Sequence, residues 1–555
     1  MKTTTNLYRV RRAAMYACGA WNDRIITDYL DEAVARAPAR NALVGYRVQA
    51  GDRTALSYAE LDRRVARIAA GLAALGVEPG DVVSCQLPNW WQMSALFLAC
   101  VRIGAVTNPL MPIFREHELR FMLAHARSRV LVIPQTFRHF DHQAMIRGLR
   151  GELPDLARVL VIGGEGEESF EQALLEPGWE REVDSARLFA ERRPSADDVI
   201  QVIYTSGTTG KPKGVMHTCN TLLSHIRPFC ERHRLSEAHT VLMPSPLAHQ
   251  LGFLYGLMAP IYLGATSVLQ DIWDPLFSVR VIAEERPSLT LGSTPFLSDL
   301  LDIADRHREQ LASLRTFISA GAPIPGALVE RTAGLLDTRI VSAWGMTENG
   351  AVTTTRPDDP PHMAAISDGL ALPHMEVRVI GEDGTPLPPN QEGDLFVRGA
   401  SMFVGYLHQP ELYGVDDDGW FPTGDIARMD ENGYIRITGR SKDVVIRGGE
   451  NIPVVDIENT LYKHPAIQSV ALVGAPDPRL GERLCAYVTQ KDGRERPLTL
   501  QEVVDYLLEQ QFTRQYLPEY LEVLDELPRT ASGKIQKFKL RERARHLFGD
   551  RQIPA

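Results

Sequence analysis

No cysteine of this 555-residue chain stands in a C-x-x-C pair, and the six present (Cys18, Cys85, Cys100, Cys219, Cys230 and Cys485) follow no regular spacing. That argues against a disulfide framework or a zinc site and fits a reducing, cytoplasmic setting. Basic charge is also short: 60 Lys and Arg against 70 Asp and Glu leave a net charge of -10, which speaks against general nucleic-acid binding. No secretory signal is expected, because the AAMYACGAW that follows Lys2, Arg9, Arg11 and Arg12 is too short and mixed for an apolar h-region. Residues 251–269 run nineteen long without a charge. Pro260 and Gly264 interrupt them, so a buried helix and strand are expected there rather than a membrane span. There is no internal repeat, no low-complexity tract, no P-loop and no G-x-G-x-x-G opening a helix.

What the chain has is length and an ordinary apolar content of 44%. This length exceeds what one hydrophobic core supports, so at least two domains are expected. Ser57-Tyr58-Ala59-Glu60 is a capping box followed by Leu61, Val65, Ile68, Leu72 and Leu75 at helical spacing. Residues 81–87 then read as a strand, 91–101 as a buried helix and 130–133 as a strand. This alternation belongs to a largely parallel, helix-covered sheet, an α/β pattern. Residues 163–198 are acidic and irregular and read as a solvated connection. From about Val377 the strands shorten and alternate, and 426–438 is a hairpin pattern around Asn432-Gly433. Beyond Arg440 comes a compact α+β pattern with a second capping box at Thr499 to Glu502. Two domains are expected, 1–440 and 441–555, with the boundary near Arg440 to Lys442.

The stretch around which the chemistry gathers is Tyr204 to Thr218, YTSGTTGKPKGVMHT, behind the apolar run VIQVIY. Glycines, hydroxyls and two lysines in one loop let backbone N–H groups and ammonium groups approach a polyphosphate closely. Further segments follow in order: Pro246 to Gly252 (PLAHQLG), Ser319 to Pro323 (SAGAP), Trp344 to Glu348 (WGMTE), Gly419 to Asp425 (GWFPTGD), Gly439-Arg440, Gly448-Gly449, and Leu527 to Lys537 (LPRTASGKIQK). An aromatic, a glycine, a hydroxyl and a carboxylate in WGMTE suit a purine, a phosphate and a hard cation.

In this order the segments resemble the adenylate-forming superfamily of acyl- and aryl-CoA ligases, peptide-synthetase adenylation domains and firefly luciferase. The resemblance implies a large N-terminal domain of helix-covered sheets plus a β-barrel-like subdomain, followed by a small mobile α+β domain. It implies ATP and CoA as co-substrates, Mg²⁺ as cofactor, and a carboxylic acid turned into acyl-AMP and then a thioester. By the same resemblance Thr205, Ser206, Gly207, Thr208, Thr209, Gly210 and Lys213 grip phosphate. Gly321, Ala322, Pro323, Trp344, Gly345, Met346 and Thr347 meet adenine and the α-phosphate. Glu348 holds the metal, Asp425 takes the ribose hydroxyls and Arg440 reaches ribose or phosphate. His249 orients the acid, Lys534 is the adenylation lysine, Lys442 is the interdomain hinge, and Gly448 and Gly449 line the pantetheine path.

The acyl-pocket walls implied in this way, residues 249–256, 292–296, 319–323 and 343–350, carry almost no charge beyond the two catalytic groups, so an apolar acid is expected. DIWDP, STPF, SAGAPIPG, SAWGMTENGAV and GRSKDVVIRGGENIPVV look like cyclohexanecarboxylate-CoA ligases and short- to medium-chain acyl-CoA synthetases. Loading of a carrier protein in place of CoA stands as the alternative, a luciferase-like oxygenase as a more distant one. Monomer and homodimer are both open.

Overall fold

The structure, a computed structural model, describes residues 6–179, 183–205, 212–321, 324–440, 445–447, 450–452, 454–477, 480–491, 496–510, 512, 514–530 and 533–548. The local signals act as their chemistry dictates. Ser57 Oγ accepts from the Glu60 N–H at 3.3 Å and the Glu60 carboxylate accepts from the Ser57 N–H at 2.8 Å, which closes the box that starts helix Tyr58–Ala74. Its periodic residues Leu61, Val65, Ile68 and Leu72 are all buried. Helix Trp91–Arg102 has no polar face, and every residue from Trp91 to Val101 is buried. A helix apolar all round needs partners on all sides. Phe97 meets Phe253 edge to face at 4.6 Å, in a core that also takes residues from the neighbouring strands. Each such side chain contributes about 1.5–3 kcal/mol by leaving water.

Among the described residues two large sheets form. One has six strands, running from Lys213–Thr218 through Val199–Thr205, Val106–Pro109, Val82–Cys85 and Ser128–Pro134 to Arg158–Ile162. It is parallel except for its edge strand Lys213–Thr218, which pairs antiparallel with Val199–Thr205. The other has nine strands, with Asn41–Arg47, Thr266–Gln270, Thr240–Met243, Leu289–Gly292, Thr316–Ala320 and Arg339–Met346 parallel at its centre. Parallel strands deliver the loops at their carboxyl ends to one edge, the place where α/β proteins bind ligands.

The third sheet differs from the barrel-like unit expected. Met375–Ile380, Gly393–Gly399, Phe421–Met429 and Ile435–Arg440 form an open antiparallel meander of four strands. Four strands are too few to close around side chains. Its apolar face is instead covered by Ile203, Val215, Trp344 and Val352 from the two large sheets. The C-terminal unit has its own sheet, built on the hairpin Ile467–Asp477 and Gly481–Gln490, and its own core around Ile457, Leu461, Leu472 and Leu484.

The charge-free stretch 251–269 is a buried helical run, Gln250–Gly252, Phe253–Met258 and Ala259–Leu263, then strand Thr266–Gln270. Among the described residues no helix is long and apolar enough to cross a membrane. The 163–198 connection is less solvated than its composition implies, because Phe170 and Leu174 are fully buried and Leu174 packs beside Gly71 of helix Tyr58–Ala74. Two apolar anchors in an acidic segment are enough to dock it.

Candidate active site

Carboxyl ends of strands from both large sheets supply the site. Strand Val199–Thr205 ends at Thr205, which pairs with Lys213 across the base of the phosphate loop. Strand Arg339–Met346 runs straight into Thr347 and Glu348. A side chain at Gly345 would run into the Gly350 carbonyl, which is why glycine allows the chain to double back there. Gly321, at the end of Thr316–Ala320, has φ +84 and open space where a Cβ would stand. It leaves backbone available to a flat ring.

Glu348 is 5% exposed, and its Oε1 accepts the Tyr406 hydroxyl at 2.7 Å. Lys213 donates to the same hydroxyl at 3.3 Å and lies 4.3 Å from the Tyr406 ring centre. Burial pushes the Glu348 carboxyl above its ordinary value, while the Tyr406 bond and the Lys213 and Arg440 charges pull it back. The Thr347 carbonyl accepts from His217 Nε2 at 2.8 Å, fastening this corner to strand Lys213–Thr218. Among the described residues no group of three or more His, Cys, Asp or Glu is placed to cage a metal. One buried carboxylate beside a hydroxyl still fits Mg²⁺, which keeps its waters and takes its other ligands from phosphates.

A second cluster centres on Asp425. Asp425, 2% exposed, accepts from Trp344 Nε1 at 2.9 Å and from Arg440 Nε at 2.7 Å. The register of the hairpin sets this, since Asp425 lies directly opposite Arg440. A carboxylate held by an indole and a guanidinium is oriented before any ligand arrives.

His249 caps the short helix Gln250–Gly252, and its Nδ1 accepts from the Leu251 N–H at 3.3 Å. The proton of the neutral ring therefore belongs on Nε2. Burial, with the Lys534 charge adding to it, lowers its pKa to about 4. Lys534 belongs to the C-terminal unit and sits on a tight turn in which Arg529 Nη1 donates to the Gly533 carbonyl at 2.9 Å. Gly533 has φ +82, and a Cβ there would stand 2.6 Å from Ser293 Oγ. Glycine is thus required both for the turn and for its seating on the large domain.

Four further buried histidines share the neutral state of His249. Burial is the first cause in each case: His142 and His217 fall to about 4, His225 and His233 to about 3. In the unfolded chain each titrates near about 6.5, so between that pH and the folded values the unfolded state binds more protons. Stability present at pH 7 is then lost on acidification, at about 1.4 kcal/mol per pH unit for each group. Scanning fluorimetry at fixed ionic strength is expected to show an unfolding temperature that falls steadily below about pH 6.5. A midpoint that stays level down to about pH 4.5 contradicts the neutral assignments.

The structure thus joins Thr205 to Lys213, Lys213 to Glu348 through Tyr406, and Trp344 and Arg440 to Asp425, and it sets His249 within the electrostatic influence of Lys534. Met346 lies on the same strand and bonds to Asn349 through its N–H at 3.1 Å. Ser206, Gly207, Thr208, Thr209, Gly210, Ala322, Pro323, Lys442, Gly448 and Gly449 lie outside the described residues. The sequence reading missed Tyr406 and His217. His217 sits inside the quoted segment, one residue before the end of strand Lys213–Thr218. Tyr406 is 58 residues from Glu348, and no periodicity marks it.

Residues 30–407 match the family described as AMP-binding enzyme, and residues 456–534 match the AMP-binding enzyme C-terminal domain. The chain is 36% identical to the medium-chain fatty-acid–CoA ligase of Escherichia coli (strain K12), over 98% of this chain and 94% of that protein. It is 33% identical to a salicylyl-CoA synthase / salicylate adenylyltransferase of a Streptomyces species, over 94% of each. Among solved structures, ATP-bound MatB from Rhodopseudomonas palustris matches with a TM-score of 0.81 at 26% identity, covering 95% of this chain and 100% of that one.

Proposed function

This chain belongs to the AMP-binding enzyme family, and from that premise we propose that it is an AMP-forming acyl-CoA ligase whose acid is an apolar, medium-chain or alicyclic carboxylate. The observation that carries the reading is the seat of Gly533, where a Cβ would stand 2.6 Å from Ser293 Oγ, which brings the Lys534 turn of the small domain to the carboxyl-end edge of the large one. In the first half-reaction a carboxylate oxygen attacks the α-phosphorus of ATP, and the bond to pyrophosphate breaks. In the second the CoA sulfur attacks the acyl carbon, and AMP leaves with the bonding pair.

The groups of this chain act by position and charge. Lys534 lies where negative charge builds between carboxylate and α-phosphate. Lys213 and the loop before it hold the phosphates that depart. Asp425 holds the ribose, with Trp344 and Arg440 fixing its orientation. Glu348 would hold Mg²⁺, which neutralises triphosphate charge when bound. His249, neutral and donating through Nε2, orients the acid without attracting a second carboxylate. The two half-reactions need different groups at one adenylate. The small domain, 441–555, therefore swings about Lys442 and exchanges the Lys534 turn for the Gly448-Gly449 face.

The acid's tail is read from the floor behind Gly350. A Cβ at that glycine would stand 3.0 Å from the His225 ring and 3.1 Å from Leu254. His225 Nε2 pairs with the Tyr255 hydroxyl at 2.5 Å, and Phe229 packs 4.4 Å from the Tyr255 ring. Burial keeps His225 neutral and raises Tyr255. A neutral floor supports an apolar tail. The second reading is an aryl acid, favoured by the salicylate-activating relative. Pyrophosphate release over hexanoate, octanoate, decanoate, cyclohexanecarboxylate, benzoate and salicylate tests it. The aliphatic and alicyclic acids are expected to lead in kcat/KM, and leading aryl acids contradict the substrate assignment.

A further inference from the structure

The basic N-terminal segment has no place in the chemistry above, and helix Asn6–Ala17 lies ahead of the family-matched residues 30–407. It nevertheless reaches the Glu348 corner through one segment, 400–403. From outside, Arg11 Nη2 donates to the Phe403 carbonyl at 3.0 Å and Trp21 Nε1 donates to the Ala400 carbonyl at 3.0 Å. Arg11 Nη1 also donates to the Tyr413 hydroxyl at 3.3 Å, and that hydroxyl donates to the same Phe403 carbonyl at 3.2 Å. From inside, the Phe403 N–H donates to the Glu348 carbonyl at 2.7 Å and Ser401 Oγ donates to the Asn349 carbonyl at 2.7 Å. Three residues on, Tyr406 holds the Glu348 carboxylate.

We propose that Arg11 is a positioning residue for Glu348: by fixing Phe403 it sets the main chain of Glu348, from which the carboxylate is presented to the metal–nucleotide. The proposal rests on the reading of Glu348 as the metal-holding carboxylate. Phe403 is bonded on both sides, its carbonyl accepting from Arg11 and its N–H donating to the Glu348 carbonyl. The 403–407 segment cannot drift alone, because Val404 N–H donates to Met216 O at 3.0 Å and Leu407 N–H to Gly214 O at 2.8 Å. Losing Arg11 therefore acts at Phe403, whose N–H bonds the Glu348 carbonyl, while Ala400 stays tied to His374 and Trp21. Arg12, next along the same helix, pairs with Asp197 at 2.5 Å and makes no bond to this segment. It provides the internal control.

The test is Mn²⁺ binding, read by electron paramagnetic resonance, to the full-length protein with a non-hydrolysable ATP analogue. Arg11→Ala is expected to weaken Mn²⁺ by about tenfold, the low end for outer partners of a metal ligand. Arg11→Lys, which keeps one donor for Phe403, should recover most of that loss, and Arg12→Ala should bind as the wild type does. Wild-type affinity in Arg11→Ala alongside a loss in Glu348→Gln overturns the positioning role. An equal loss in Arg12→Ala also overturns it, since any loosening of the helix would then suffice. Wild-type affinity in Glu348→Gln instead overturns the metal assignment on which the proposal rests, whatever Arg11 does.

Discussion

Lys534→Ala is expected to cut acyl-AMP formation on the order of 10²- to 10³-fold, while a supplied acyl-AMP is still converted to thioester. The loss follows from what the ammonium does. Attack by one anion on another builds charge between them, and a fixed cation at that point is stronger than water because it needs no reorganisation. The second half-reaction has no such need, since its leaving group is already an adenylate. The turn that carries Lys534 is braced by Arg529 and by the Gly533 seat against Ser293, so truncating the lysine leaves the fold in place. Pyrophosphate exchange reports the first step and thioester formation from synthetic acyl-AMP the second. If both survive at wild-type rates, Lys534 has been given the wrong role.

Asp425→Ala should do something different and impair both half-reactions, because the nucleotide stays bound throughout. Two hydrogen bonds from ribose to a charged acceptor are worth about 1.5–3 kcal/mol each, so a loss on the order of 10²- to 10⁴-fold in kcat/KM is expected for each step. The variant also strands Trp344 Nε1 and Arg440, which share that carboxylate. Asp425→Asn keeps the shape and one acceptor and should lie between the two. A variant that loses adenylation alone would show that Asp425 does not hold ribose.

What could be read along the chain is what neighbours in the chain decide. The capping boxes at Ser57 and Thr499 mark their helix starts because the donor and acceptor are three residues apart. The strand-to-loop junctions at Thr205 and Glu348 could be read because each site group follows its own apolar strand. The family likeness added the order of those junctions. What could not be read depends on tertiary register. Tyr406 and Glu348 are partners across 58 residues, Arg11 and Phe403 across 392. Neither pair leaves a local pattern. The meander likewise carries the alternation of a barrel, and only its contacts with Ile203, Val215, Trp344 and Val352 reveal an open sheet lying on the two large ones.

The central claim is that an acid is activated by AMP and handed to CoA, and product analysis with the wild-type enzyme, octanoate, MgATP and CoA tests it most directly. AMP, pyrophosphate and octanoyl-CoA in equal amounts are predicted, with acid-dependent pyrophosphate exchange when CoA is left out. ADP and phosphate as products, or a thioester formed on a carrier protein and never on free CoA, would contradict it.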